Sequence, residues 1–148
     1  MHFIKVIDEI PTNKKYYKVF IKKDGKLYFP MRNIEGDVLE DINTMRVKEG
    51  WLTSNDIGFH VWKNKTDAKQ FEELIKSYMK IFYKTQYTTI IKKVDCFQHK
   101  GSGFAITGST KPIKNKMDFC WKIQDENNFC TGISFTFKHI KVIDKLYL

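Results

Sequence analysis

His60 stands between bulky apolar neighbours in the run GFHVW, just ahead of a helical pattern. An imidazole titrates near neutrality, so this residue is the chain's one candidate for general acid–base work, as in a small hydrolase or transferase. Such work needs a nucleophile or a second acid at a recognisable spacing. Ser54, Ser102 and Cys130 lie in no nucleophile-elbow context, and no pair of carboxylates stands at strand ends. A lone histidine in this setting reads as a satisfied core or surface residue. The chain is therefore expected to act by binding rather than by catalysis.

Metal chemistry would require thiols and imidazoles converging at short spacing. Cys96-Phe97-Gln98-His99 is a single C-x-x-H, and Cys120, Cys130, His60 and His139 are scattered over separate segments. No second short-spaced pair answers the first, so neither a metal nor any other cofactor is expected. Three cysteines are an odd, sparse set, which fits reduced thiols packed as small apolar side chains.

Two stretches could meet phosphate. The segment HKGSGFAITGSTKPIK, residues 99–114, combines three glycines with hydroxyls and lysines, and could turn backbone N–H groups toward an anion. It matches neither nucleotide fingerprint, since no third glycine opens a helix and no Gly-Lys-Ser or Gly-Lys-Thr closes the loop. Its candidate ligand residues are Lys100, Ser102, Lys111 and Lys114, with Lys116 just beyond. The other stretch is KYYKVFIK, where Tyr16, Lys18, Phe20 and Lys22 share one face by strand alternation. If that face is solvated, rings and ammonium groups together would suit a single strand of RNA or DNA.

Charge gives these stretches their context. The 148 residues carry 26 basic and 17 acidic side chains, net +9. Residues 1–74 hold 13 basic and 12 acidic residues, whereas residues 75–148 hold 13 and 5, so the positive field belongs to the second half. Only Arg32 and Arg46 are arginine. Lysine lacks the planar fork that reads guanine edges, which argues against sequence-specific DNA recognition. Lysine as plain surface solvation is the competing reading.

The elements that must position these residues follow from periodicity. A length of 148 residues, 42% hydrophobic, suits a single domain spanning 1–148, and the composition excludes disordered or collagen-like chains. Residues 2–7 and 15–22 read as strands, and Asp24-Gly25 supplies a hairpin turn before KLYF. Residues 30–55 read as a surface-wrapping loop, and Ile57 to Trp62 as a short buried strand. Thr66 can cap a helix running to about Lys84, with Ala68, Phe71, Leu74, Ile75 and Tyr78 on one face. From Tyr87 onward strand follows strand, at 87–96, 103–107, 117–123, 128–137 and 139–148, with turns expected at Gly101-Ser102-Gly103, around 108–115 and at 125–128. Alternation places Phe135 and Phe137 on a packed face, opposite a wet face of Ser134, Thr136 and Lys138. The expected fold is α+β: a mostly antiparallel sheet of about seven to eight strands packed by one long amphipathic helix, about Thr66 to Lys84.

The pair YKVFIKKDGKLYFP and GFHVWKNKTDAKQF resembles a pattern of small phage and viral proteins, in which a strand, a DGKL turn and a strand-to-helix step recur. The likeness covers residues 16–75 and brings no catalytic residues. It implies a virus-encoded accessory protein of the counter-defence kind that sequesters or inhibits a partner. Many such inhibitors are acidic mimics of nucleic acid, and the +9 charge departs from that route. The partner it implies is instead a host protein with an acidic surface or a phosphate-bearing ligand, met by the basic C-terminal half; a low-specificity RNA- or DNA-binding protein is the alternative. The opening residues show no secretory leader and no window approaches a membrane span, so a cytoplasmic protein is expected.

Overall fold

The computed structural model describes residues 5–29, 46–55, 58–82, 88–104 and 133–143. Among the described residues, seven strands and one helix follow in chain order: β1 (Lys5–Ile7), β2 (Lys15–Lys23), β3 (Lys26–Tyr28), β4 (Trp51–Thr53), β5 (Phe59–Trp62), α1 (Lys65–Phe82), β6 (Thr88–Phe104) and β7 (Ser134–Val142).

The β2–β3 hairpin forms where the sequence places it. Asp24 and Gly25 both adopt positive φ, 53° and 75°, the backbone that lets a two-residue turn follow the twist of its flanking strands. Lys23 pairs with Lys26 across that turn, and Ile21 with Tyr28.

All strands belong to one antiparallel sheet, which closes on itself. β6 uses both edges: Val94 faces Tyr16 of β2 on one side and Val142 of β7 on the other. β5 joins β7 from Phe59 to Trp62 and meets β2 through Tyr17 and Trp62. The strands β2, β6, β7 and β5 therefore make a closed four-stranded ring, with β1, β3 and β4 extending its edges. Closure gives the sheet an inner and an outer face. Tyr16, Phe20, Phe59, Val61, Val94, Phe135, Phe137 and Ile140 pack inside as the core. Tyr16 meets Phe135 edge-on at 5.6 Å between centroids and Phe137 at 5.2 Å.

The outer face is covered over part of its area. Val19, Ile21 and Trp62 are buried there, with Ala68, Phe71 and Ile75 of α1 buried on the helix side, and the rings of Trp62 and Phe71 stack at 4.5 Å. The Asn64 carbonyl accepts from the Ala68 N–H at 3.1 Å, and its side-chain amide donates to Asp67 at 3.3 Å. Asn64 thus caps the helix, two residues before the expected Thr66.

Several expectations are corrected. The protein is not an α+β domain layered by a long amphipathic helix; it is mostly antiparallel β-sheet, and the helix residues described as buried are Ala68, Phe71 and Ile75. The covering layer is small because ring closure, rather than a helix, buries most of the inner apolar face. The turn expected at Gly101-Ser102-Gly103 is strand: β6 runs through it, with a register irregularity between His99 and Gly101 and Gln98 at φ 63°. Pairing with β1 and β7 on either side outweighs the turn preference of the glycines. The segments expected to contribute separate strands at 128–137 and 139–148 meet in the single strand β7. Ser134 and Thr136, assigned to a wet face, are buried. The strand expected within 117–123 lies outside the described residues.

Candidate functional site

Among the described residues, those singled out by sequence do not gather at one place. His60 is 3% exposed on β5; its Nδ1 lies 3.4 Å from the Ser134 hydroxyl, and its backbone carbonyl accepts from Lys18 Nζ at 2.8 Å. This imidazole is buried beside a hydroxyl, in the strand phase opposite to the core residues Phe59 and Val61. The condition attached to KYYKVFIK is not met, because Tyr16, Lys18 and Phe20 point into the ring and are buried. Burial also pushes the Tyr16 hydroxyl upward in pKa, outweighing the backbone hydrogen bond from Asn13 that favours ionisation.

In the 99–114 segment, Lys100 is exposed and Ser102 is buried within β6. Lys111, Lys114 and Lys116 lie outside the described residues. The Ser102 hydroxyl donates to the Glu9 carbonyl at 2.6 Å, so its only proton is used, and His99 Nε2 at 2.8 Å must be the donor to Ser102 Oγ. A serine arranged this way is not an activated nucleophile; it ties the segment after β1 to β6. Cys96 is a free thiol whose pKa is pushed up to about 12, chiefly by burial, with Lys18 lowering it and Asp95 raising it. It stays protonated at neutral pH and is poorly suited to attack or to ligate. Among the described residues no group of three or more His, Cys, Asp or Glu side chains converges.

A different constellation lies on the open part of the outer face, where β4, β7 and β6 run side by side. Thr53, His139 and Phe97 form one cross-strand row; Trp51, Lys141, Asp95 and Lys15 form the next, continuing onto β2. Trp51 is 49% exposed and Phe97 48%. Their rings meet edge-on at 4.8 Å, while His139 stacks on Phe97 at 4.2 Å and 15° between planes. The Thr53 hydroxyl lies 2.9 Å from His139 Nδ1 and holds that ring in place. Three aromatic rings therefore stand together on a solvent-facing sheet, each pinned by strand register. Around them Lys141, Lys15 and Lys93 are exposed, with Asp95 the single carboxylate in the two rows and their β6 continuation.

This face was partly legible. In KKVDCFQH, Val94 and Cys96 take the inward phase, and Phe97 falls in the outward phase with Lys93 and Asp95. An aromatic residue in the polar phase of a strand was the signal. Trp51 carried no such mark, because the three-residue β4 is formed only by pairing with β7.

No helix among the described residues is long and apolar enough to cross a membrane. No protein-family model matches the chain, and neither a curated protein nor a solved structure matches it. The functional reading rests on the geometry of this outer face.

Proposed function

We propose that this protein acts by binding single-stranded nucleic acid, without sequence readout, on the outer face of β4, β7 and β6. The observation that carries the reading is the half-exposed pair Trp51 and Phe97, backed by His139 and bordered by Lys141, Lys15 and Lys93. Every base has a π-face, so rings held at fixed positions stack bases of any identity, and nearby ammonium groups meet the phosphates. Lysine rather than arginine suits contact with a backbone and not with base edges. Of the two basic surfaces expected from the sequence, the C-terminal sheet and the 99–114 segment, this proposal takes the sheet face. A role as a phage- or virus-type accessory protein that sequesters such a ligand is consistent with the residue 16–75 motif and belongs to the same proposal.

Trp51 itself reports the contact. Titration with an unlabelled homopolymeric single strand is expected to quench the exposed indole. The quench is expected to vanish in Trp51→Phe, which keeps a ring at the position and so keeps most of the affinity. Undiminished tryptophan emission in the wild-type protein at saturating oligonucleotide would overturn the assignment of this face.

A further inference from the structure

Asp95 is the single carboxylate in the two rows of the open face, and it stands between lysines. Register sets it directly opposite Lys15 of β2 on one side and Lys141 of β7 on the other. Opposite charges so placed across an antiparallel sheet are positioned to pair. Among the described residues, however, neither lysine forms an ion pair with it. Lys15 and Lys141 are exposed, whereas Asp95 is half-buried. Side-chain length accounts for the difference: a carboxylate one methylene from the backbone stays low on the sheet, and ammonium groups on four-methylene stems reach past it into water. Phe97 follows two residues along β6 in the same phase, about 7 Å further on.

An ionised carboxylate only accepts hydrogen bonds, so whatever a nucleic acid presents to Asp95 has to be a donor. Phosphate oxygens are repelled by its charge and drawn to the lysines on either side. Exocyclic amino groups do qualify. Adenine carries one at N6, cytosine at N4 and guanine at N2, whereas thymine presents a carbonyl oxygen where cytosine has its amino group. We propose that Asp95 reads the edge of the base stacked at Phe97, giving this face a preference for amino-bearing bases over thymine and uracil. The inference rests on the assignment of the face to a single strand. Stacking on the rings is indifferent to base identity, and the carboxylate adds a base-class preference at one position.

Fluorescence polarisation with labelled oligo(dC) and oligo(dT) of equal length, at one low salt concentration, tests it in the wild-type protein and in Asp95→Asn. Both probes are pyrimidines, and DNA lacks the 2′-hydroxyl that is RNA's other donor, so the comparison isolates the base edge. The wild type is expected to bind oligo(dC) about fivefold more tightly than oligo(dT), the lower end of what a base-edge contact contributes. The asparagine keeps an acceptor, gains a donor and loses the charge, so the variant is expected to gain affinity for oligo(dT) and to bind the two probes alike. An equal gain for both probes would show that Asp95 only repels phosphate, and would overturn the proposal. A wild type that binds both probes equally would overturn it without any variant. Failure of the wild type to bind either probe would overturn the single-strand assignment itself, a different outcome from binding without preference.

Discussion

At Phe97 residue type and strand phase disagree. A phenylalanine in the outward phase of β6 exposes about half its surface, and it is kept there by ring contacts to Trp51 and His139. Replacing either Trp51 or Phe97 with alanine removes ring surface that is already half in water, so the fold is expected to survive. Oligonucleotide affinity is expected to fall by about 1–3 kcal/mol for each base that loses its stacking partner, roughly 5- to 150-fold. Equilibrium titration beside an unfolding curve separates the two effects. One position further in, Cys96 behaves oppositely. Its thiol titrates near 9.0 when unperturbed and is pushed up to about 12 in the fold, so the native state holds the proton more tightly than the unfolded chain. That contribution is fully present below pH 9, and is lost as the pH rises toward the folded value. Urea midpoints measured at increasing pH above 9 are expected to fall for the wild type and to fall less steeply for Cys96→Ala. Tyr16, also shifted upward by burial, adds to the residual slope in both proteins.

At the scale of elements, local chemistry was legible and pairing was not. The Asp24-Gly25 turn reads directly from two residues that tolerate positive φ. The single strand β6 does not, because glycines that favour turns in isolation are held extended by β1 on one edge and β7 on the other. The helix pattern was visible, but its weight in the fold was overestimated: periodicity reports an apolar stripe and says nothing of how much sheet that stripe covers. Nor can alternation foresee that a sheet closes into a ring, which is what turned the Tyr16, Lys18, Phe20 face inward. Gly58 illustrates a further pairing constraint. At φ 102°, a Cβ added there would lie 2.9 Å from the Phe137 carbonyl oxygen, where β5 begins its register with β7. Gly58→Ala is expected to cost about 1–3 kcal/mol from backbone strain and close contact. Gly25→Ala meets no atom within 4 Å and carries only the backbone penalty, about 1 kcal/mol. Denaturant unfolding of the two variants should order them that way, and the reverse order would contradict the β5–β7 approach.

For the whole molecule, the net charge of +9 is carried in part by the open outer face, where Lys141, Lys15 and Lys93 border the aromatic rows. Composition showed the excess and its bias toward the second half. It could not show which lysines share a surface with exposed rings, since that follows from register across β4, β7, β6 and β2. The central claim is that the outer face binds a single strand through stacking and phosphate contact together. The most direct test is fluorescence polarisation with labelled single-stranded and duplex oligonucleotides, at about 50 and 200 mM salt, for the wild type and a Trp51→Ala/Phe97→Ala double variant. The account predicts micromolar or tighter binding of the single strand and weaker binding of the duplex. It also predicts a slope of log K against log salt of about −2, from about three displaced counterions, and a marked loss in the double variant. No binding at the lower salt, or equal binding by the wild type and the folded double variant, would contradict it.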